Sequence, residues 1–292
     1  MKKISFTGAS GHALQASLWG HGLDEGATRI ALLLHGGGQT RHAWDKTGLA
    51  LAKHGWTAIA LDQRGHGDSA WVDDAAYAFA DYGLDVAAVA RQIAALSGHK
   101  PVAIGASLGG IAALASFAQQ KEPVLAGLVL VDIIPKMDPN GVANVQGFMR
   151  AKAREGFASV EEAADAIAAY LPHRPRPRSL AGLAKNLRQH PDGRWRWHWD
   201  PQFLDGPIPV EHDWEKLEPR LEAAAKTLPV PLLLVRGGGS ELVSPESAGA
   251  FLSTVPDGEY ADIADARHMV AGDRNDAFGE AVITFLERRF PR

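Results

Sequence analysis

The segment Pro101-Val102-Ala103-Ile104-Gly105-Ala106-Ser107-Leu108-Gly109-Gly110 is an apolar run that ends in Gly-x-Ser-x-Gly and passes into the small-residue stretch from Ile111 to Ala118. A strand that turns into a helix through such a sequence holds one serine on a tight turn, with its hydroxyl above the end of a sheet. The flanking glycines have a steric purpose, because side chains there would collide with the strand and helix that the turn brings together. Ser107 is therefore read as a nucleophile.

A serine nucleophile needs a base, an acid to orient that base, and donors for an oxyanion. After the apolar run Ile30 to Leu34 comes His35-Gly36-Gly37-Gly38-Gln39, whose unobstructed backbone N–H groups can face a developing negative charge. Gly37 is the expected first donor, and Leu108, following the nucleophile at a helix start, the second. A phosphate loop would instead require Gly-Lys-Ser/Thr, which is missing here. Among 12 histidines, His268 stands out by position, just past the last expected strand and after Ser107 in the order serine, acid, histidine. Two carboxylates compete as its partner. Glu241 lies in the turn Gly237-Gly238-Gly239-Ser240-Glu241 after Leu232 to Val235 and is preferred, while Asp132 follows Leu128 to Val131.

These residues need a scaffold that ends at one edge. Short branched apolar runs alternate with Ala-rich segments of helical period, the pattern of a mostly parallel sheet flanked by helices. Strands are expected at Ile30 to Leu34, Thr57 to Leu61, Val102 to Gly105, Leu128 to Val131, Leu232 to Val235 and Glu259 to Ile263. Helices are expected at Asp45 to His54 and Ala80 to Leu96, and an antiparallel hairpin over residues 1–20 turns at Gly8-Ala9-Ser10-Gly11. The alternation stops between Pro135 and Leu228, where helical segments Val142 to Glu155 and Val160 to Tyr170 precede the Pro/Arg stretch 172–178. An insertion of that length exceeds what a connection needs and reads as a helical lid. The expected organisation is a core of residues 1–134 and 229–292 interrupted by a lid of residues 135–228.

Composition narrows the chemistry. The 292 residues carry a formal net charge of -4, with 46% hydrophobic and 22% charged residues, which suits a globular domain with a large core. That mild acidity gives no attraction to nucleic acid or anionic membranes. The chain has no cysteine, which removes disulfides, thiolate metal sites and cysteine nucleophiles. Met1-Lys2-Lys3 is followed by Ile4-Ser5-Phe6-Thr7-Gly8 where a secretory signal needs an apolar run, so the expected location is cytoplasmic.

The chain resembles α/β-hydrolase fold proteins of the lidded esterase, lactonase and cofactor-free peroxidase-like group. The resemblance rests on His35-Gly36-Gly37-Gly38, Asp62-Gln63-Arg64-Gly65-His66-Gly67-Asp68-Ser69, Gly105-Ala106-Ser107-Leu108-Gly109-Gly110 and His268-Met269-Val270-Ala271-Gly272-Asp273-Arg274-Asn275-Asp276. It covers both core segments and only loosely the lid. It implies an α/β-hydrolase fold, hydrolysis of a carboxylic ester or lactone through an acyl-enzyme, and no metal or organic cofactor. Two departures stand out: Glu241 occupies the place where the family usually has Asp, and Ala266-Arg267 precedes His268 where the family often has Gly-x-Gly.

The lid is where substrate choice is expected. Trp195, Trp197 and Trp199 alternate as in a strand, which places them on one face, either packed on the core or lining an apolar pocket with Gly38. The stretch His173 to His198 holds seven Arg or Lys against the single acid Asp192, an excess that would be solvated or would attract an acidic substrate. Perhydrolysis or C–C bond hydrolysis with the same residues, and a small-molecule receptor with vestigial hydrolysis, are the alternatives to ester cleavage.

Overall fold

The structure, a computed structural model, describes residues 1–172, 176 and 179–291. Strands β1 (Lys2–Thr7) and β2 (Ala13–Trp19) form the expected hairpin. They lead into a sheet with β3 (Ile30–Leu34), β4 (Thr57–Leu61), β5 (Val102–Ala106) and β6 (Gly127–Val131). The insertion contributes a separate two-stranded sheet of β7 (Leu187–Gln189) and β8 (Trp195–Trp197), and β9 (Leu232–Gly237) and β10 (Gly258–Ile263) complete the main one. The eight-stranded order is β1-β2-β4-β3-β5-β6-β9-β10, antiparallel from β1 to β4 and parallel from there on.

Helices α1 (Asp45–Lys53), α2 (Phe79–Ser97) and α3 (Leu108–Gln119) cross over between the early strands. The insertion carries α4 (Pro139–Arg150), α5 (Val160–Tyr170), α6 (Ala181–Ala184), α7 (Gln202–Asp205) and α8 (Trp214–Lys226). The last part of the chain adds α9 (Pro245–Leu252), α10 (Val270–Asp273) and α11 (Asn275–Arg289).

Central strands such as β3 and β6 are buried along their whole length, so both faces must be apolar. Ile30, Leu32 and Leu34 enter the core that also contains Val86, Ile93 and Leu114, while Ala31 and Leu33 enter the one that contains Leu51, Phe278 and Phe285. The two-residue period of the strand feeds both layers. Where α2 crosses α3, Gly83 allows close approach, since a Cβ there would lie 2.7 Å from the Ala115 methyl group. The edge strand β10 alternates between exposed and partly buried residues and carries Glu259 and Asp262, which discourages edge-to-edge pairing.

The insertion differs from a purely helical lid. The first helix begins earlier than expected because Asp138 caps it, accepting from the N–H groups of Asn140 and Gly141, with Pro139 in the first turn. It ends at Arg150 rather than Glu155, and Lys152 takes a positive φ of 61° just beyond. Trp195 and Trp197 belong to a short hairpin. The chain from His198 to Asp200 then runs antiparallel to the Gly65-His66-Gly67 loop, with bonds Gly67 N–H to His198 O at 2.8 Å and Asp200 N–H to Gly65 O at 2.8 Å.

That loop is anchored by Arg64, which donates to both oxygens of Asp85 on α2 at 2.6 and 2.8 Å. Asp85 also receives the N–H of Ala9 at 2.8 Å. Both charged side chains are almost fully buried, and their desolvation is offset by this pair together with the Ala76 carbonyl, which accepts from Arg64 at 2.8 Å, and His12, 3.2 Å from Asp85. We expect Asp85→Ala to lower the free energy of unfolding by about 3 to 5 kcal/mol, because it removes the two short charged bonds of a buried guanidinium and leaves it with the Ala76 carbonyl and Asp81, at 4.0 Å. Urea unfolding checks this, and a loss below about 1 kcal/mol would show that water reaches Arg64.

Candidate active site

Ser107 sits between β5 and α3 with φ 47° and ψ -116°, a conformation that side chains rarely adopt. The turn is held by its neighbours. Gly110 N–H and Ile111 N–H donate to the Ser107 carbonyl at 2.9 and 3.0 Å, and Ser107 N–H donates to the Val131 carbonyl at 3.3 Å. The glycines are required sterically: a Cβ on Gly105 would lie 2.4 Å from the Gly109 carbonyl oxygen, and one on Gly109 2.3 Å from that of Leu34. The Ser107 residue is half-buried, and Leu108 opens a helix whose first N–H groups have no partner within the helix.

The glycine loop runs alongside. A Cβ on Gly36 would lie 3.5 Å from the Ser107 Cβ. Residues 36–39 form a β-turn closed by Gln39 N–H to Gly36 O at 3.2 Å, with the Gln39 side chain accepting from Gly36 N–H at 3.1 Å. Gly38, the third residue of that turn, has φ +76°, the position and sign that favour glycine. Two buried histidines pin this loop. His35 Nε2 accepts from Gln63 N–H at 3.1 Å while its Nδ1–H donates to the Gly36 carbonyl at 2.8 Å. His66 Nε2 accepts from Gly38 N–H at 3.1 Å while its Nδ1–H donates to the Arg64 carbonyl at 2.9 Å.

Both acceptor roles require neutral imidazoles. Burial supplies this, pushing His35 down to about 4 and His66 down to about 3. Neither histidine was singled out as an anchor of the glycine loop by sequence reasoning; the signal was their placement in the loops after β3 and β4.

The structure brings His268 to Asp132 and not to Glu241. His268 Nδ1–H donates to Asp132 Oδ2 at 2.9 Å, which leaves Nε2 as the ring nitrogen not held by Asp132. Asp132 is fully buried, with φ 52°, and its Oδ1 accepts from Gly237 N–H at 2.9 Å. Ser240 donates its hydroxyl to Asp132 Oδ2 at 2.6 Å. The preference for Glu241 is thereby corrected. Its residue is exposed, its charge is felt by Tyr170 of α5, and its carbonyl packs at the start of α4. The end of β9 and the turn after it thus contribute a backbone N–H and a hydroxyl to the carboxylate of Asp132, just past β6.

Of the three tryptophans, Trp199 reaches the glycine loop. Its indole nitrogen would lie 3.7 Å from a Cβ on Gly38, and its ring stacks on His66 at 6.5 Å between centroids. Trp197 is buried against Phe157 at 5.1 Å, and Trp195 pairs through its backbone with Phe157 at 2.7 and 2.8 Å. They do not share one face against the site because β8 ends at Trp197. Two further residues were missed: Met149 of α4 and Phe203 of α7 both lie against Gly37, within 3.5 and 3.3 Å of where its Cβ would be.

The described Arg and Lys residues of the stretch His173 to His198 each pair with an acid, three within the insertion and two in the core. Lys185 pairs with Asp45 at 2.7 Å, Arg176 with Asp165 at 2.9 Å, Arg194 with Glu155 at 3.3 Å and Arg196 with Asp192 at 2.6 Å, and Arg188 pairs with Asp68. These cations hold the insertion to itself and to the core, which overturns the anion-attracting expectation for them. The other basic residues of that stretch, Arg174 and Arg178, lie outside the described residues. No group of three or more His, Asp or Glu that could hold a metal ion occurs among the described residues.

Comparison with known proteins identifies the family. The profile of the alpha/beta hydrolase family matches residues 31–281. An esterase of Mycobacterium tuberculosis is 30% identical over 95% of this chain and 87% of its own length. Its solved structure superposes with a TM-score of 0.72 at 26% identity, covering 98% of this chain and 92% of that one. A 2-(acetamidomethylene)succinate hydrolase of Mesorhizobium japonicum is 24% identical over 90% of each chain. A solved structure of a hydrolase of that name superposes with a TM-score of 0.80 at 21% identity, over 98% of this chain and all of the other.

The two buried histidines also set a pH dependence. Their folded-state values lie below the ordinary 6.5, so the unfolded chain binds more protons as pH falls, and stability present above about 6.5 is lost towards about 4 and 3. Between pH 6.5 and 5 the loss should reach about 2 kcal/mol per imidazole, and His66→Gln should flatten part of the slope. Urea midpoints across that window check this; a flat profile in the parent protein would contradict it.

Proposed function

The chain belongs to the alpha/beta hydrolase family and is an ester-acting hydrolase, and we propose that it cleaves carboxylic esters or lactones through an acyl-enzyme on Ser107. The observation that carries this reading is the part-buried Asp132–His268 hydrogen bond at 2.9 Å, with Asp132 directly following Val131, whose carbonyl accepts the Ser107 N–H of the strained turn at 3.3 Å.

In this mechanism His268 Nε2 takes the Ser107 proton as Oγ attacks the carbonyl carbon. Asp132 holds the Nδ1–H tautomer and stabilises the imidazolium that forms. The N–H groups of Gly37 and Leu108 receive the oxyanion. Collapse of the tetrahedral intermediate expels the alcohol, which takes the proton from His268 and leaves an acyl ester on Ser107. Water, deprotonated by His268, then attacks that ester and releases the acid and free Ser107. No metal or organic cofactor enters these steps, and the partner is a small molecule.

The insertion of residues 135–228 would act as a lid that lines the acyl side. Met149, Phe203 and Trp199 crowd Gly37 and Gly38 with apolar surface and place no charge there, which favours an apolar acyl group. Trp195 and Trp197 support that wall from behind rather than contacting substrate.

Ser107→Ala should lower turnover of p-nitrophenyl esters by about 10⁴-fold or more with the melting temperature preserved. A residual rate within tenfold of the parent would remove Ser107 from the mechanism. Met149→Ala should move the preferred acyl length upward, raising kcat/KM for the longer esters roughly tenfold relative to acetate. An unchanged ranking across the series would place the acyl pocket elsewhere.

A further inference from the structure

We propose that Ser240 is a positioning residue for catalysis, its hydroxyl holding the Asp132 carboxylate in the orientation that His268 requires. This inference rests on the reading of Asp132 as the triad acid. The geometry is specific. Ser240 Oγ donates to Asp132 Oδ2 at 2.6 Å, and that same oxygen accepts His268 Nδ1–H at 2.9 Å. The hydroxyl has one proton, and its direction is fixed by what surrounds it, because Oγ also accepts from Leu242 N–H and Val243 N–H at 3.1 Å each. With both N–H groups pointing at its lone pairs, the only polar partner left for the proton is the carboxylate.

The Asp132 carboxylate is thus clamped from two directions. Gly237 N–H fixes Oδ1 at 2.9 Å and Ser240 fixes Oδ2, so the carboxyl plane is set before His268 docks. The clamps come from the last residue of β9 and the turn after it, while the acid follows the end of β6. Without Ser240 a single backbone bond would remain, and the carboxylate could rotate about its Cβ–Cγ bond away from the imidazole. The two N–H groups of the turn also polarise the hydroxyl they reach, strengthening its bond to a charged acceptor.

A fluorophosphonate probe tests this without knowledge of the natural substrate, since its rate of attachment to Ser107 reports how well His268 activates the hydroxyl. Ser240→Ala should slow phosphonylation about tenfold to a hundredfold, the range expected for a hydrogen bond to a charged group. In ester turnover the loss should fall on kcat with KM within about twofold, and Ser240→Thr should restore most of both rates. If Ser240→Ala fails to fold, Ser240→Cys, a weak donor of similar size, is read in the same way.

A phosphonylation rate for Ser240→Ala within twofold of the parent, accompanied by a lower melting temperature, would overturn the proposal and leave Ser240 as a structural member of its turn. Asp132→Asn measured alongside separates the two levels. Near-parental labelling in Asp132→Asn would sink the triad reading itself, whereas slow labelling there with fast labelling in Ser240→Ala would sink only the role of Ser240.

Discussion

Asp132 holds its carboxylate where water does not reach it, and such a group persists only if the protein supplies its hydrogen bonds. Three donors do so: Gly237 N–H, the Ser240 hydroxyl and His268 Nδ1–H. They come from different segments of the chain. Satisfying one buried charge therefore requires the end of β6, the turn after β9 and the loop after β10 to converge at one point. The parallel register that pairs β6 with β9 and β9 with β10 makes that convergence possible, because it brings all three strand ends to the same edge.

The same economy governs the loop beside Ser107. The glycine loop that would receive an oxyanion has little packing of its own, so its shape is imposed by His35 and His66, each accepting one N–H and donating to one carbonyl. Their neutrality depends on burial. For His66 part of that burial comes from Trp199 and Phe203, whose rings lie 6.5 and 5.0 Å from it. The insertion thus reaches the catalytic loop through packing: Tyr77 donates to Asp200 at 2.6 Å just after Trp199, joining the insertion to the loop before α2. Displacing these rings would loosen the histidines and the glycine turn together.

Much of this was legible in the sequence. Uniformly apolar runs such as Leu128 to Val131 announced buried parallel strands, and the glycines around Ser107 announced a turn with no room for side chains. The glycine loop and His268 were picked out by their position after a strand, and the structure places His268 on Asp132. What the sequence could not convey was which of two strand-end carboxylates faced the imidazole, because that depends on side-chain direction across the sheet edge. Glu241 was the nearer match to a familiar pattern, yet its neighbour Ser240 is the residue turned inward. The insertion was harder still: the spacing of Trp195, Trp197 and Trp199 suggested one continuous strand, whereas β8 stops at Trp197 and frees Trp199 to pack on His66. Its basic residues likewise read as an excess until their carboxylate partners, distant in sequence, were placed beside them.

Which carboxylate orients His268 decides the mechanism. The most direct measurement is kcat for Asp132→Asn and Glu241→Gln on one ester, under conditions where both variants are shown to be folded. An amide at position 132 cannot hold the Nδ1–H tautomer or stabilise the imidazolium, so kcat for Asp132→Asn should fall by roughly 10⁴-fold, while Glu241→Gln should stay within a few-fold of the parent. The reverse ranking, with Asp132→Asn nearly unimpaired and Glu241→Gln crippled, would contradict the assignment of Asp132.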